Sequence, residues 1–417
     1  MRRRLIFSVA DQGIVSAFNF ALNLFLVRMA APEEFGVFAI ISAVSLFATM
    51  VQNAIVSTPL SVHLPIAADA ERRARLLRVF SAANVMLSGL LLASGFIAIG
   101  IWLGIGRWPT VLGASFYLVT QFVREYYRSL LAVQGKLAAL LCTDIACMFL
   151  AATTLAGLHV LGRQEWPIID SVFVVVGMAG ALTIVPACIA SGRMLPLRGL
   201  AAEMAGVFAE QMHEIRWSLL GVITTEIQNR GYIYIAAAVF GPATVAQLQA
   251  GRILFGPLNL LTNAWARVAR PQLAGLIGNS DEEGFNTALK RAFRGFAAFN
   301  VLFLGGLWLA WAPLSSLVFN GKYDDLGSLV AAWGLANIVF QSRSCLGIGV
   351  QAMRRFRELT MATIAGAAVS IVLVTGACFA RQPAWLIAAV IAGECVALAI
   401  VISILRQRPD VQPAVSG

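Results

Sequence analysis

Arg124, Arg128, Arg230, Arg252 and Arg343 each fall inside a stretch otherwise apolar enough to cross a bilayer. A guanidinium stays charged at all working pH values and presents a planar fork of donors that matches phosphate bidentately. At mid-membrane an ionised side chain costs roughly 2.5 to 3.5 kcal/mol even on the lenient insertion scale, so such residues belong where they face water or a protein interior. Asp11, Glu125, Asp144, Glu226 and Glu394 also lie within such stretches, Glu125 and Glu226 beside arginines of their own. Two readings follow. The arginines line a wet cleft and bind an anion, or they are glue, with Arg128 paired to Glu125 and Arg230 to Glu226. The acids balance the cations only if Asp11, Asp144 and Glu394 also pair, which the sequence does not show; a cation excess would select an anionic cargo. Asp11, Glu125 and Glu226 are either coupling sites for H+ or Na+ or permanent counter-ions.

Neutral polar residues share the pattern. At about 100° per residue, Gln12, Ser16, Asn19 and Asn23 fall on one narrow face of a helix. Gln121, Arg124, Glu125 and Arg128 form a second face, and Gln249, Arg252, Asn259 and Asn263 a third. Glu226, Asn229 and Arg230, three and four residues apart, can meet on one side of their helix. These amides are either interhelical hydrogen-bond partners or part of a polar cavity wall.

The elements that must carry them are membrane helices. Of 417 residues, 59% are apolar and 12% charged, and the mean hydropathy is +0.79, outside the range of soluble domains. The apolar runs reach about 20 residues, whereas the alternation of membrane barrels is absent. Twelve spans are predicted, at 5–29, 35–63, 79–105, 110–133, 137–160, 169–190, 217–240, 244–266, 293–319, 326–351, 359–380 and 384–405. Alternate connections hold 21 of the 31 Lys and Arg, and the intervening ones only Arg28, Arg107, Arg163, Lys322 and Arg381. The positive-inside rule then places both termini in the cytoplasm. The opening Met1-Arg2-Arg3-Arg4 reads as the flank of an uncleaved first span, since the run carries Asp11, Gln12, Asn19 and Asn23 and lacks a small-x-small cleavage site. The six cysteines lie within spans without a CxxC pair, and His63, His159 and His213 are scattered, so no metal site or other cofactor is expected. The net charge of +10 sits in the cation-rich loops, where topology and anionic lipid headgroups account for it without nucleic acid.

The fold class expected is all-α, with two pseudo-symmetric six-helix lobes. The N-terminal lobe spans 1–192, an amphipathic connector 193–216, the C-terminal lobe 217–408 and a short tail 409–417. In the connector, Leu197, Leu200, Met204, Val207 and Phe208 share a side, with Arg198, Glu203 and Glu210 elsewhere, as in a helix lying on the inner membrane surface. Residues 270–292 read as a solvated loop with some helix. Asn19 stands thirteen residues before Pro32, as Asn229 does before Pro242; Arg128-Ser129 recurs as Arg343-Ser344. These echoes, at offsets of 210 and 215, indicate a parallel duplication with substrate between the halves. Pro59 and Pro186 would bend their helices. No P-loop occurs, and the short, acid-poor external loops give a polymerase or ligase little to build on.

Asp11-Gln12-Gly13, Asn19-Phe20, Leu26-Val27-Arg28 and Pro32-Glu33-Glu34-Phe35-Gly36 resemble the opening of the Wzx-type polysaccharide flippases. These belong to the multidrug/oligosaccharidyl-lipid/polysaccharide (MOP) exporter superfamily. Arg124-Glu125-Tyr126-Tyr127-Arg128 and Gln134-Gly135-Lys136 resemble that family's arginine-bearing fourth helix. The resemblance implies two lobes in a V around a central cavity, as in the MATE transporters. It implies alternating access in the bacterial inner membrane and flipping of undecaprenyl-diphosphate-linked oligosaccharide repeat units for polysaccharide biosynthesis. The polyprenyl tail would stay among membrane lipids, and a polysaccharide polymerase and a chain-length regulator would be neighbours in the pathway. The five arginines would meet the diphosphate, and Gln12, Asn19, Asn23, Gln121, Asn229 and Asn259 the sugars. A small-molecule exporter and, less favoured, a membrane polymerase or ligase are the competing readings.

Overall fold

The computed structural model describes residues 2–64, 67, 69–161, 167–191, 200–323, 326–353 and 355–407. Every regular element among them is helical. In chain order these are α1 (Arg2–Met29), α2 (Pro32–Gln52), α3 (Thr58–His63), α4 (Ala70–Leu103), α5 (Trp108–Val133), α6 (Leu137–Val160), α7 (Ile168–Ser191) and α8 (Leu200–Phe240). There follow α9 (Pro242–Ile253), α10 (Gly256–Gly278), α11 (Glu282–Leu309), α12 (Trp311–Phe319), α13 (Leu326–Ala352), α14 (Phe356–Phe379) and α15 (Trp385–Arg406). Taking α2 with α3, α9 with α10 and α11 with α12, the twelve expected spans each have a helical counterpart, and the chain is a multi-pass membrane protein.

Eight described helical segments are long and apolar enough to cross a membrane. Among the long helices that fall short are α5, α8 and α13, which carry Arg124, Arg128, Arg230 and Arg343; Arg252 lies on the twelve-residue α9. Four of the five intramembrane arginines thus sit on long helices that composition alone does not mark as spans.

The breaks have chemical causes. A proline lacks the N–H that would bond four residues back and crowds that carbonyl. Ahead of Pro59 the backbone widens into a π turn over Asn53–Ser57, which absorbs the misfit. Pro257, at the start of α10, stops α9 after Ile253. Pro186, by contrast, sits inside an uninterrupted α7. The expected loop at 270–292 is almost entirely helix: only Asn279–Asp281 separates α10 from α11, and the Asp281 carboxylate caps α11 by accepting from Gly284 N–H at 2.8 Å.

The chain divides into two compact units, Met1–Ile223 and Thr224–Gly417. The boundary falls within α8, which continues from the connector into the seventh span. Residues 193–199, where the connector was expected to begin, and the tail 409–417 lie outside the described residues. In the first unit, Met204, Val207 and Phe208 of α8 pack on a core including Leu60, Leu76, Phe80 and Tyr126. The apolar face expected to rest on lipid is therefore covered by protein. Arg78 to Glu203 (3.2 Å), Arg72 to Glu210 (3.8 Å) and His63 to Glu214 (3.1 Å) add polar contacts along the same helix.

Each unit also buries an asparagine in its third span, Asn84 bonded from the second span and Asn300 bonded to the fourth. Gln52 Nε2 donates to Asn84 Oδ1 at 2.6 Å and to the Phe122 carbonyl at 2.7 Å. In the second unit Asn300 Nδ2 donates to Gln341 Oε1 and Asn337 Nδ2 to Asn300 Oδ1, both at 3.2 Å. Asn84 and Asn300 stand 216 residues apart, a further echo at nearly the interval of Arg128 and Arg343.

α14 and α15 approach until backbone nearly touches backbone. A Cβ on Gly366 would lie 2.7 Å from the Gly393 carbonyl oxygen, and one on Gly393 would lie 2.5 Å from that of Gly366. Small residues allow this approach in membranes, where packing rather than apolar burial joins helices. Gly393 precedes Glu394, so the contact sets where that carboxylate stands. Gly366→Val is expected to destabilise the purified protein by roughly 1 to 3 kcal/mol through overpacking, measured by thermal unfolding in detergent.

Candidate functional site

The first unit gathers a charged cluster from three helices. Asp144 of α6, only 1% exposed, accepts from both arginines of α5: Arg124 Nη2 on Oδ1 and Arg128 Nε on Oδ2, each at 2.7 Å. Arg128 also donates Nη1 to Glu125 Oε2 at 2.6 Å and Nη2 to Asp11 Oδ2 at 3.0 Å. Arg124 Nη1 reaches Gln121 Oε1 at 3.3 Å. Helical periodicity places Gln121, Arg124, Glu125 and Arg128 along one face of α5, and α1 and α6 bring their acids to it. The five ionisable groups comprise three carboxylates and two guanidiniums, one negative charge in excess. Asp11 is buried and its Oδ1 has no hydrogen-bond partner. A crevice of about 10 Å³ beside Arg124, Arg128 and Thr143 has room for about one water.

The remaining candidates of α1 stand apart from this cluster. Gln12 and Asn19 are exposed, and Asn23 donates to the Asn19 carbonyl at 2.7 Å. Asp11, which lies off the stripe of Gln12, Ser16, Asn19 and Asn23, turns inward to Arg128, whereas Gln12 faces outward.

The second unit holds three arginines in three environments. Arg230 Nη1 donates to Glu226 Oε2 at 2.6 Å, and Tyr234 hydroxyl donates to Glu226 Oε1 at 2.9 Å. Arg343 Nε donates to Glu394 Oε2 at 2.6 Å, while Gln228 Nε2 donates to Glu394 Oε1 at 3.1 Å. Among the described residues Arg252 has no carboxylate partner. Its guanidinium lies 5.4 Å from the Trp333 ring centre and 5.9 Å from that of Tyr232, and Nη1 donates to the Tyr232 hydroxyl at 3.0 Å. It also sits in the last turn of α9, where the helix dipole presents partial negative charge. The break before Pro257 supplies that helix end in mid-span. Three guanidiniums against two carboxylates leave this unit's set one positive charge in excess.

Arg343, Asn229 and Asn259 meet on a cavity of about 470 Å³ within the second unit. Gln228, Arg270 and Gln351 complete much of its polar wall, with Phe340 and Leu359 among the apolar part. Asn259 Oδ1 is buried without a partner. Arg270 is exposed and fixed through Nε, which donates to Gln351 Oε1 at 2.9 Å. Arg230, Glu226 and Arg252 are not on this wall. Gln228 and Arg270 escape a reading of the sequence for different reasons. Gln228 lies beside two recognised polar residues, and a helix-face count that included it would have found it. Arg270 reads as a loop cation because α10 continues beyond the apolar run. Asp144 and Glu394 are visible as intramembrane acids, but their service to Arg124, Arg128 and Arg343 depends on helices that only folding brings together.

Asp144→Asn is expected to cost roughly 3 kcal/mol or more, because it leaves the largely buried Arg124 without a carboxylate and takes one of three from Arg128. Glu125→Gln is expected to cost less, because the Glu125 side chain is 28% exposed and Arg128 keeps Asp11 and Asp144. Thermal unfolding of the two purified variants in the same detergent checks the order.

No protein-family model matches the sequence, and no curated protein matches it. Solved structures do match. Lipid II flippase MurJ, in an inward closed conformation, is 14% identical over 96% of this chain and 87% of its own, with a TM-score of 0.67. An inward-facing multidrug resistance MATE family transporter of the MOP superfamily is 12% identical over 96% and 94%, with a TM-score of 0.68. A MOP superfamily transporter from Pyrococcus furiosus, described as having a binding pocket of reverse polarity, is 12% identical over 96% and 90%, with a TM-score of 0.52. At these identities the likeness is one of fold, and the chain has the fold of the MurJ and MATE transporters.

Proposed function

We propose that the chain is an alternating-access flippase for undecaprenyl-diphosphate-linked oligosaccharide repeat units in the bacterial inner membrane, serving polysaccharide biosynthesis. The observation that carries this reading is the second-unit cavity, which sets Arg343 and Arg270 among amides and hydroxyls. A diphosphate calls for guanidinium forks, and sugar hydroxyls call for side chains that donate and accept, such as Gln228, Asn229 and Asn259. The fold shared with a lipid II flippase supports the reading. So do the residues resembling the Wzx-type flippases, among them Pro32-Glu33-Glu34-Phe35-Gly36 and Arg124 through Arg128.

A coupling ion has a natural place in the first unit. Asp11, Glu125 and Asp144 outnumber Arg124 and Arg128 by one charge, and Asp11 Oδ1 is unpartnered. We propose that H+ or Na+ occupies this position. Glu226, held by both Arg230 and Tyr234, serves instead as a counter-ion. A second reading, export of a small molecule, draws on the balance of five intramembrane arginines by five acids, which removes the overall cation excess that would favour an anion.

Deletion of the gene is expected to leave sugar-loaded polyprenyl diphosphate trapped on the cytoplasmic face. Normal surface polymer without such accumulation would overturn the flippase reading and favour the exporter. In proteoliposomes, Arg343→Ala is expected to lower the flipping rate by about tenfold or more, with Arg343→Lys intermediate because it keeps the charge and loses the fork. Asp11→Asn is expected to abolish acceleration by an imposed proton or sodium gradient while leaving downhill flipping measurable.

A further inference from the structure

The Pro-Glu-Glu-Phe-Gly segment has no role in the charged cluster or in the second-unit cavity. The structure gives it a setting. Glu34 lines a separate pocket of about 210 Å³ within the first unit, where the ends of α2, α5 and α7 meet. Arg107, Pro109 and Thr110 come from the start of α5, and Pro167 and Asp170 from the start of α7. The pocket joins connections from the cation-poor set, at the end of the unit away from His63 and the α8 contacts in sequence order.

Three features indicate that the pocket is built for a ligand. Asp170 is only 3% exposed, and its Oδ1 has no hydrogen-bond partner. Glu34 uses one oxygen, Oε2, to accept from Ala31 N–H at 3.3 Å. Arg107 is exposed and forms no ion pair with a described carboxylate within 4.0 Å, although it lines the same space. An acid in the first turn of a helix is ordinarily explained by the dipole. The dipole does not account for a buried, unused oxygen at a pocket whose wall also carries the guanidinium of Arg107.

The occupant must both donate and accept. A metal ion fits poorly: no described group of three His, Cys, Asp or Glu side chains could hold one, and Arg107 would repel it. A sugar ring fits. Its hydroxyls donate to Asp170 and Glu34 and accept from Arg107 and Thr110, while its C–H face rests on Pro109 and Pro167. The volume corresponds to about seven waters at ~30 Å³ each, the scale of a single sugar residue. We propose that this pocket is a second carbohydrate site, distinct from the second-unit cavity, and that it takes one uncharged sugar residue of the cargo. The proposal rests on the flippase reading only for the presence of sugar in the cargo.

Saturation-transfer NMR on the purified protein in nanodiscs tests it, using free neutral hexoses, N-acetylhexosamines and deoxyhexoses as probes, with glycine and alanine as zwitterionic controls. At least one neutral sugar is expected to bind, with affinity falling about tenfold or more in Asp170→Asn and in Arg107→Ala, as for loss of a charge-assisted hydrogen bond. Arg107 is exposed, so its variant decides the matter if Asp170→Asn fails to fold. The proposal is overturned if no sugar binds, if only the amino acids bind, or if both pocket variants bind normally. Should sugar bind here while the deletion strain flips lipid-linked oligosaccharide normally, the flippase reading fails and the site stands.

Discussion

The pairing of guanidinium with carboxylate, far from bulk water, is the constraint on which the arrangement of both units depends. Removing two opposite charges from water costs several kcal/mol each, and their attraction repays this only with good geometry and further hydrogen bonds. Asp144, Glu226 and Glu394 therefore each accept from more than one donor. The helices that carry the arginines have given up apolar surface, and their neighbours supply what those charges require. Gly366 and Gly393 belong to the same requirement, since their close contact fixes the backbone beside Glu394.

The two units solve this requirement differently from related starting points. Arg128 and Arg343 occupy corresponding places, yet Arg128 draws its counter-charges from α1, α5 and α6, and Arg343 from α15. Asn84 and Asn300 have kept both position and burial. An arginine at a given level in a helix bundle can be neutralised from any helix that passes it, so the cation can persist while the acid moves. The charge excess consequently has opposite sign in the two units: negative around Asp11 and positive around Arg252. These are different chemical environments on a repeated scaffold, suited to a cation in one and an anion in the other.

Much of this fold was legible in the sequence because the signals are local. Apolar runs give the spans, and Pro59 marks where backbone geometry changes, whereas the break ahead of Pro257 falls inside what reads as a single span. The uninterrupted helix through Pro186 shows that a proline can lie within a span without breaking it. The connector's helix was legible, with Glu203 and Glu210 on its polar side, but neither its continuity with the seventh span nor the Arg78 and Arg72 that answer those acids could be read. Candidate polar residues were visible by type, and so were the local pairs of Arg128 with Glu125 and Arg230 with Glu226; partners from distant helices were not. Arg128 and Asp11 are 117 residues apart, and Arg343 and Glu394 are 51 apart, distances over which helical periodicity says nothing. Asp170 shows the same limit from the other side: a first-turn acid is ordinary in sequence, and only burial beside Glu34 and Arg107 makes it notable.

The shared carboxylate of Asp144 bears on which sign of charge the cluster admits. Because one side chain holds Arg124 through one oxygen and Arg128 through the other, neither arginine is an empty receptor awaiting an anion. An anion that approached either would have to displace an acceptor already in place, whereas a cation drawn to the surplus carboxylate would leave both pairs standing. The cluster therefore discriminates by sign of charge while each of its guanidiniums stays partnered throughout.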